Sequence, residues 1–289
     1  MYESSNVRIV TDSTADIPPD LAAELGITVV PLQVHFGNQS YRDGIDITPD
    51  EFYQRLRVSP DLPKTSQPSV GAFEEAYERL CSETDSILSI HVSSSLSRTY
   101  GAALLARDSV RNRCTVEVLD SRLVSLGLGI LAINCARLAK QGVGLRDLTH
   151  HAKRMIPNVH ITFMVETLEY LQKGGRIGRA QAFLGSLVNI KPILKIEEGE
   201  VRPVEKVRTR SKALDRLVEF VELFPRIEEI GLLYSTTPRG RRSRPPQDRA
   251  PGPARASDRR SDRAGRRHLH GSGHDRTGRL PGRRGGVAL

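Results

Sequence analysis

Two rhythms of apolar residues run through positions 7–155. Short apolar runs bounded by polar residues read as buried strands at 7–10, in the first half of 87–100, and at 115–119. Between them, spacings of three and four mark helix faces: Phe73, Ala76, Tyr77 and Leu80, then Leu148, Ala152 and Met155. Asp16 stands where an N-cap belongs, with Pro18 near the first helical position and Gly26 just past the end. Over 27–36, Leu32, Val34 and Phe36 alternate with Gln33 and His35. This predicts a strand wet on one face, continuing through a 37–38 turn as a hairpin outside the main sheet. Thr48-Pro49-Asp50-Glu51 is a capping box that starts a helix to about residue 57. Residues 64–69 read as a polar loop stiffened by Pro63 and Pro68. A long helix reaches residue 141, carries Gly127 and Gly129, and stops at Gly142.

From about residue 156 the character changes. A strand at 161–165 and a short helix at 168–171 precede the glycine-rich loop 173–179. Strands at 192–196 and 201–207 flank a turn at Glu198-Gly199, and a helix at 211–221 and a strand at 230–234 follow. The fold class is therefore α/β: an N-terminal, mainly parallel sheet flanked by helices, plus a second, smaller α+β domain. The boundaries read as 7–155 for the first domain and 156–238 for the second, which ends mid-unit. Residues 239–289 form an Arg/Gly/Pro-rich tail, either disordered or the product of a shifted reading frame.

Charge sharpens that last boundary. Residues 239–289 hold fifteen Arg, four Asp and neither Lys nor Glu. Of the net +9, the tail thus carries +11 and the preceding 238 residues −2. The basic balance belongs to the tail and implies no specific nucleic-acid partner for the folded part. No apolar run is long enough to span a membrane. Cys81, Cys114 and Cys135 are odd in number and widely spaced, and read as separate core thiols of a reduced, cytoplasmic protein. The histidines at 150, 151 and 160 lack ligand-like spacing and read as surface residues, so no metal site is expected.

The candidate chemistry gathers at the carboxyl ends of the strands, where open α/β sheets bind ligands. There the chain places Thr11-Asp12-Ser13, Ser93-Ser94-Ser95 and Asp120-Ser121, with the Thr65-Ser66 loop within reach of the same edge. Four serines and a threonine within 93–99 exceed what one helix cap needs. A rim rich in neutral hydroxyls and poor in Lys suits one negative charge better than a polyphosphate. Arg176, on a glycine-flexed loop, is the candidate to add a single guanidinium. A carboxylate on a hydrocarbon chain fits that balance. No Walker loop, Rossmann fingerprint or nucleophile elbow is present. A hydrolase or transferase acting on a small carboxylate or phosphate ester, built from His91 or His35 with Asp12 and Ser97, is the alternative.

These pieces resemble the DegV family of bacterial fatty-acid-binding proteins. The matching segments are Val10-Thr11-Asp12-Ser13-Thr14, Lys64-Thr65-Ser66-Gln67-Pro68-Ser69, Ser93 through Tyr100, Leu119-Asp120-Ser121 and Lys173-Gly174-Gly175-Arg176-Ile177, spread over about 7–238. The resemblance implies two domains holding a long-chain fatty acid, with Thr65 and Ser97 hydrogen-bonding its carboxylate and Arg176 near the same head group. It implies a carrier without catalytic residues or other cofactor, which presents its ligand to a fatty acid kinase for acyl-phosphate formation in phospholipid metabolism. Two departures stand out. The family's glycine after the carboxylate-binding serine is Arg98 here, a strained position if it requires positive φ. The family's C-terminal Gly-rich segment, whose histidine also reaches the carboxylate, has no counterpart. His268, His270 and His274 lie in another context, and no histidine is carried over.

Overall fold

The computed structural model describes residues 6–185 and 190–234 and the backbone of 285–288. Strand β1 (Arg8–Asp12) leads through a 3-10 turn, Ser13–Ala15, to α1 (Pro19–Leu25), which closes on left-handed Gly26. Asp16 does not cap α1. It ends the 3-10 turn at φ 51°, and Pro18 takes the cap position. A residue before proline is driven out of the helical region, so Pro18 stays extended and the helix starts at Pro19. Strand β2 (Ile27–Val30) returns to β1 in parallel. The chain then leaves for a hairpin, β3 (Gln33–Phe36) and β4 (Gln39–Arg42), and for α2 (Pro49–Val58), whose capping box is complete. Within the expected polar loop, Lys64–Ser66 forms strand β5 on the free edge of β3, with Thr65 opposite Val34. This strand has no apolar period because an edge supplies its pairing, not its burial.

Helix α3 (Val70–Leu80), β6 (Ser86–His91), α4 (Thr99–Val110) and β7 (Thr115–Asp120) complete a wholly parallel sheet of order β2-β1-β6-β7. Helices α5 (Leu126–Lys140) and α6 (Leu145–Met155) follow. One buried cluster, around Phe73, Tyr77 and Val110, lies between the sheet and α3 and α4. The other, around Leu88, Leu128 and Leu148, joins the sheet to α5 and α6 and continues into Val159 and Ile161.

Those last two residues belong to β8 (Val159–Met164) of the smaller domain. It also contains α7 (Glu169–Lys173), β9 (Lys191–Glu197), β10 (Glu200–Val207), α8 (Arg210–Glu222) and β11 (Ile227–Gly231). The β9–β10 hairpin turns on Glu198 and Gly199, both at positive φ as a tight hairpin turn requires. The last apolar run misplaces β11, which starts at Ile227. Glu229, not Ile230, faces inward, its carboxylate accepting from Asn134 Nδ2 at 2.8 Å on α5. Residues 235–284, including the tail histidines, lie outside the described residues. The backbone of Gly285–Ala288 does form a strand, β12, parallel to both β8 and β11, giving the order β10-β9-β8-β12-β11. A tail without elements was the expectation; a four-residue strand between two partners is set by backbone pairing and leaves little compositional trace.

The cysteine expectation also changes. Cys81, at the end of α3, and Cys114, just before β7, form a disulfide with Cα atoms 5.6 Å apart, while Cys135 is a buried free thiol. Packing of α3 and α4 on one face of the sheet brings together residues 33 apart in sequence. Of the three histidines read as surface residues, His150 is exposed, whereas His160 is half-buried against the Phe224 ring, 4.8 Å between centroids. Among the described residues no helix is long and apolar enough to cross a membrane, and no group of three metal-ligating side chains converges.

Helix α5 is wedged between the domains at two glycines. A Cβ at Gly129 would lie 2.4 Å from the Ala15 carbonyl oxygen, a backbone atom that cannot yield cheaply. Gly101, on the exposed face of α4, has no heavy atom within 4 Å of that position. Gly129→Ala is therefore expected to destabilise the protein by about 1–3 kcal/mol through overpacking. Gly101→Ala is expected to stabilise it by about 0.5–1 kcal/mol through helix propensity. Urea denaturation of both variants checks the opposite signs.

Candidate ligand-binding site

A cavity of about 480 Å³ opens at the carboxyl ends of β1, β6 and β7 and extends against the smaller domain. Its walls are mainly apolar, with Val92, Leu126, Ile161, Phe163, Ile196 and Val201 among them. Polar side chains reach it from Thr65, Ser97 and Arg176, the three residues singled out in the sequence, and the structure sets all three on this one cavity. Thr65 comes from β5, on the small antiparallel sheet. Its hydroxyl has no hydrogen-bond partner among the described residues. Ser97 lies in the turn between β6 and α4, its Oγ 2.8 Å from Thr99 Oγ1. Arg176 follows Gly175, whose φ of 71° lets the loop double back. Its guanidinium donates to the carbonyls of Gly174 (2.7 Å) and Leu96 (3.4 Å), the second contact holding it beside the serine turn. No carboxylate pairs with Arg176 among the described residues, so its charge is not neutralised locally.

Arg98, in place of the family's glycine, has φ −82°. The backbone is unstrained there, and the exposed side chain does not line the cavity. Other cavity residues stood in the sequence only as parts of motifs: Thr14, Ser66 and Gln67. Ser125 left no signal at all. It precedes α5 with φ 56° and ψ −147°, a sparsely populated conformation for a residue with a side chain. A 2.7 Å hydrogen bond from its Oγ to Asp16 Oδ2 anchors it, and Asp16 is itself at positive φ. Burial raises the Asp16 carboxyl above its ordinary range; the Ser125 hydroxyl pulls the other way, and the nearby Asp43 and Asp12 charges add to the rise.

Behind the cavity wall runs a fully buried polar chain. Asp12 Oδ2 is 3.0 Å from His91 Nδ1, His91 Nε2 is 2.7 Å from Ser89 Oγ, and Ser89 Oγ is 2.8 Å from the Tyr77 hydroxyl. One donor order satisfies every group: Tyr77 donates to Ser89, Ser89 to His91, and His91 to Asp12. The other carboxylate oxygen of Asp12 accepts from Thr14 N–H (3.1 Å) and Thr14 Oγ1 (2.5 Å), while Oδ2 also accepts from Val92 N–H (3.0 Å). Thr14 and Val92 both line the cavity, so this chain fixes two wall residues from behind. Burial alone would raise the Asp12 carboxyl, but hydrogen bonds from His91, Thr14 and Val92, with the His91 interaction, hold it below its ordinary 3.8. Burial pushes the Tyr77 phenol upward.

The alternative hydrolase constellation does not assemble as expected. His91 engages Ser89, which is buried and absent from the cavity lining, rather than Ser97. His35 bonds Ser40 (2.8 Å) and Ser66 (3.0 Å). Ser97 is turned toward Thr99.

A parallel sheet with a smaller mixed-sheet domain, and an apolar cavity between them with hydroxyls and one guanidinium in its lining, define a two-domain α/β protein with a candidate ligand cavity. Residues 6–242 match the family described as "Uncharacterised protein, DegV family", and this chain belongs to the DegV family. Protein DegV of Bacillus subtilis is 39% identical over 218 residues, covering 75% of this chain and 77% of its relative. A solved structure described as showing fatty acid binding by a DegV family protein from Thermus thermophilus matches with a TM-score of 0.71 at 38% identity, over 78% of this chain and 80% of the other. DegV from Bacillus subtilis, described as a fatty acid binding protein, matches with a TM-score of 0.72 at 36% identity, over 79% and 82%.

The Asp12 environment carries a pH signature. Its folded pKa lies below the ordinary 3.8, so the carboxylate contributes stability above about pH 4 and loses it as pH falls further. The stability difference between wild type and Asp12→Asn is expected to stay constant from pH 7 to about 5 and to narrow below 4. Denaturant titration across that range measures it.

Proposed function

We propose that this protein binds one long-chain fatty acid, its hydrocarbon tail in the apolar cavity and its carboxylate among Thr65, Ser97 and Arg176. The observation that carries this reading is the composition of the cavity. Aliphatic and aromatic walls surround a polar set made of neutral hydroxyls, Gln67 and one guanidinium that no acid among the described residues pairs with. A hydrocarbon chain in such walls gains roughly 0.8 kcal/mol per buried methylene. A single carboxylate matches the unbalanced charge. The first turn of α5 adds the positive end of a helix dipole through Ser125 and Leu126. The fatty-acid binding described for the Thermus thermophilus and Bacillus subtilis proteins supports the same reading. On it, residues 7–155 and 156–238 are two domains that clasp the ligand.

The protein then acts as a carrier with no catalytic residue of its own, presenting the head group to a fatty acid kinase that forms an acyl-phosphate from ATP. That role belongs in the cytoplasm, where ATP is available.

Mass spectrometry of organic extracts from purified protein should detect long-chain fatty acid in about one-to-one amount. A hydrogen bond to a charged group contributes about 1.5–3 kcal/mol. Thr65→Ala, Ser97→Ala and Arg176→Ala should each weaken binding about ten- to a hundredfold. Protein that emerges empty and takes up no added long-chain acid would defeat the proposal. Turnover of a carboxylate or phosphate ester that disappears in Ser97→Ala would favour the enzymatic alternative.

A further inference from the structure

Resting on that reading, we infer that Gly127 is a specificity-determining residue, setting the acyl-chain length through the position of Ile161. Gly127 is buried in the first turn of α5. A Cβ there would stand 2.4 Å from Ile161 Cδ1 and 2.8 Å from Ile161 Cγ1, closer than real side chains approach. Ile161 is also a wall of the cavity, so its side chain sits between the helix and the ligand space.

Neither backbone can retreat. Ile161 is paired on both sides within its sheet, opposite Ile196 of β9 and Ala288 of β12. Helix α5 cannot back away from β8, because two residues are about 200° around a helix. Gly129 therefore presses the opposite face against the Ala15 carbonyl, where even a Cβ would fall at 2.4 Å. Val159 Cγ1, 3.4 Å from where a Cβ at Gly127 would stand, closes one flank. What can yield is the Ile161 side chain, and the free volume beside it is the cavity.

A methyl group at position 127 thus displaces Ile161 into the space that the acyl chain needs. The glycine keeps the isoleucine withdrawn and the cavity deep. Each methylene excluded from an apolar wall lowers affinity about fourfold. The effect is therefore expected as a truncation of the accepted chain, not as loss of head-group binding.

The test is the acyl-chain distribution extracted from the purified full-length chain and read by mass spectrometry. Gly127→Ala should shift that distribution shorter by about one or two carbons relative to wild type. Ile161→Val, which removes one methyl from the wall, should shift it longer, and Gly127→Ala/Ile161→Val should return toward wild type. An unchanged distribution in Gly127→Ala, or a shift that Ile161→Val does not reverse, overturns the inference while fatty-acid binding stands. Should Gly127→Ala fail to fold, as its melting transition would show, Ile161→Val alone decides: no lengthening overturns the assignment. A wild-type protein that carries and accepts no fatty acid removes both this inference and the function it rests on.

Discussion

Close packing of one helix between two sheets is the constraint on which the rest of this structure depends. Helix α5 meets the main sheet and the 13–15 turn on one face and β8 on the other, and glycines at 127 and 129 make both approaches possible. A side chain at either position would force atoms within van der Waals contact, which a densely packed interior does not absorb. The buried cluster that unites Leu88, Leu128 and Ile161 exists because of this approach. So does the cavity, whose far wall belongs to β8 and β9 and whose near wall to the carboxyl ends of the parallel strands.

Around that cavity, polarity is distributed unevenly. Strongly polar groups that could hydrate its floor are turned away and satisfied among themselves. Asp12, His91, Ser89 and Tyr77 close a chain behind the wall, each donor matched to an acceptor. Unmatched, any of these groups would cost about 1–3 kcal/mol in desolvation; matched, they stiffen the segments that carry Thr14 and Val92. Asp16 and Ser125 do the same at the start of α5, where the backbone adopts a conformation that only a surrounding structure can hold.

Directional hydrogen bonds supplement the apolar packing between the domains. Ser93 Oγ donates to the Gly199 carbonyl at 2.8 Å, and a Cβ at Gly199 would collide with that hydroxyl. Arg176 reaches across to the Leu96 carbonyl. Both tethers end on the serine turn after β6, so this turn senses the placement of the smaller domain as well as the polar lining of the cavity.

Much of this was legible along the chain, because it depends on neighbours in sequence. The alternation of strand and helix, the Thr48–Glu51 capping box, the Glu198-Gly199 turn and the α3 face of Phe73, Ala76, Tyr77 and Leu80 arise from local geometry and periodicity. Thr65 and Ser97 could be singled out because their motifs resemble those of the family, and Arg176 also because it sits on a glycine-flexed loop. Several features were decided elsewhere. Strand β5 exists because β3 offers an edge, and β11 begins at Ile227 because Glu229 finds Asn134 on α5. Cys81 meets Cys114 because α3 and α4 share one face of the sheet. Whether Gly127 faces a helix, a backbone or a ligand wall has no trace in its neighbours, since burial against Ile161 is a meeting of residues 34 positions apart. The sequence by itself determined the elements and the chemistry available at their ends. Only the tertiary structure decided which of those ends share a cavity and how deep it runs, because that depends on how closely nonlocal surfaces can approach.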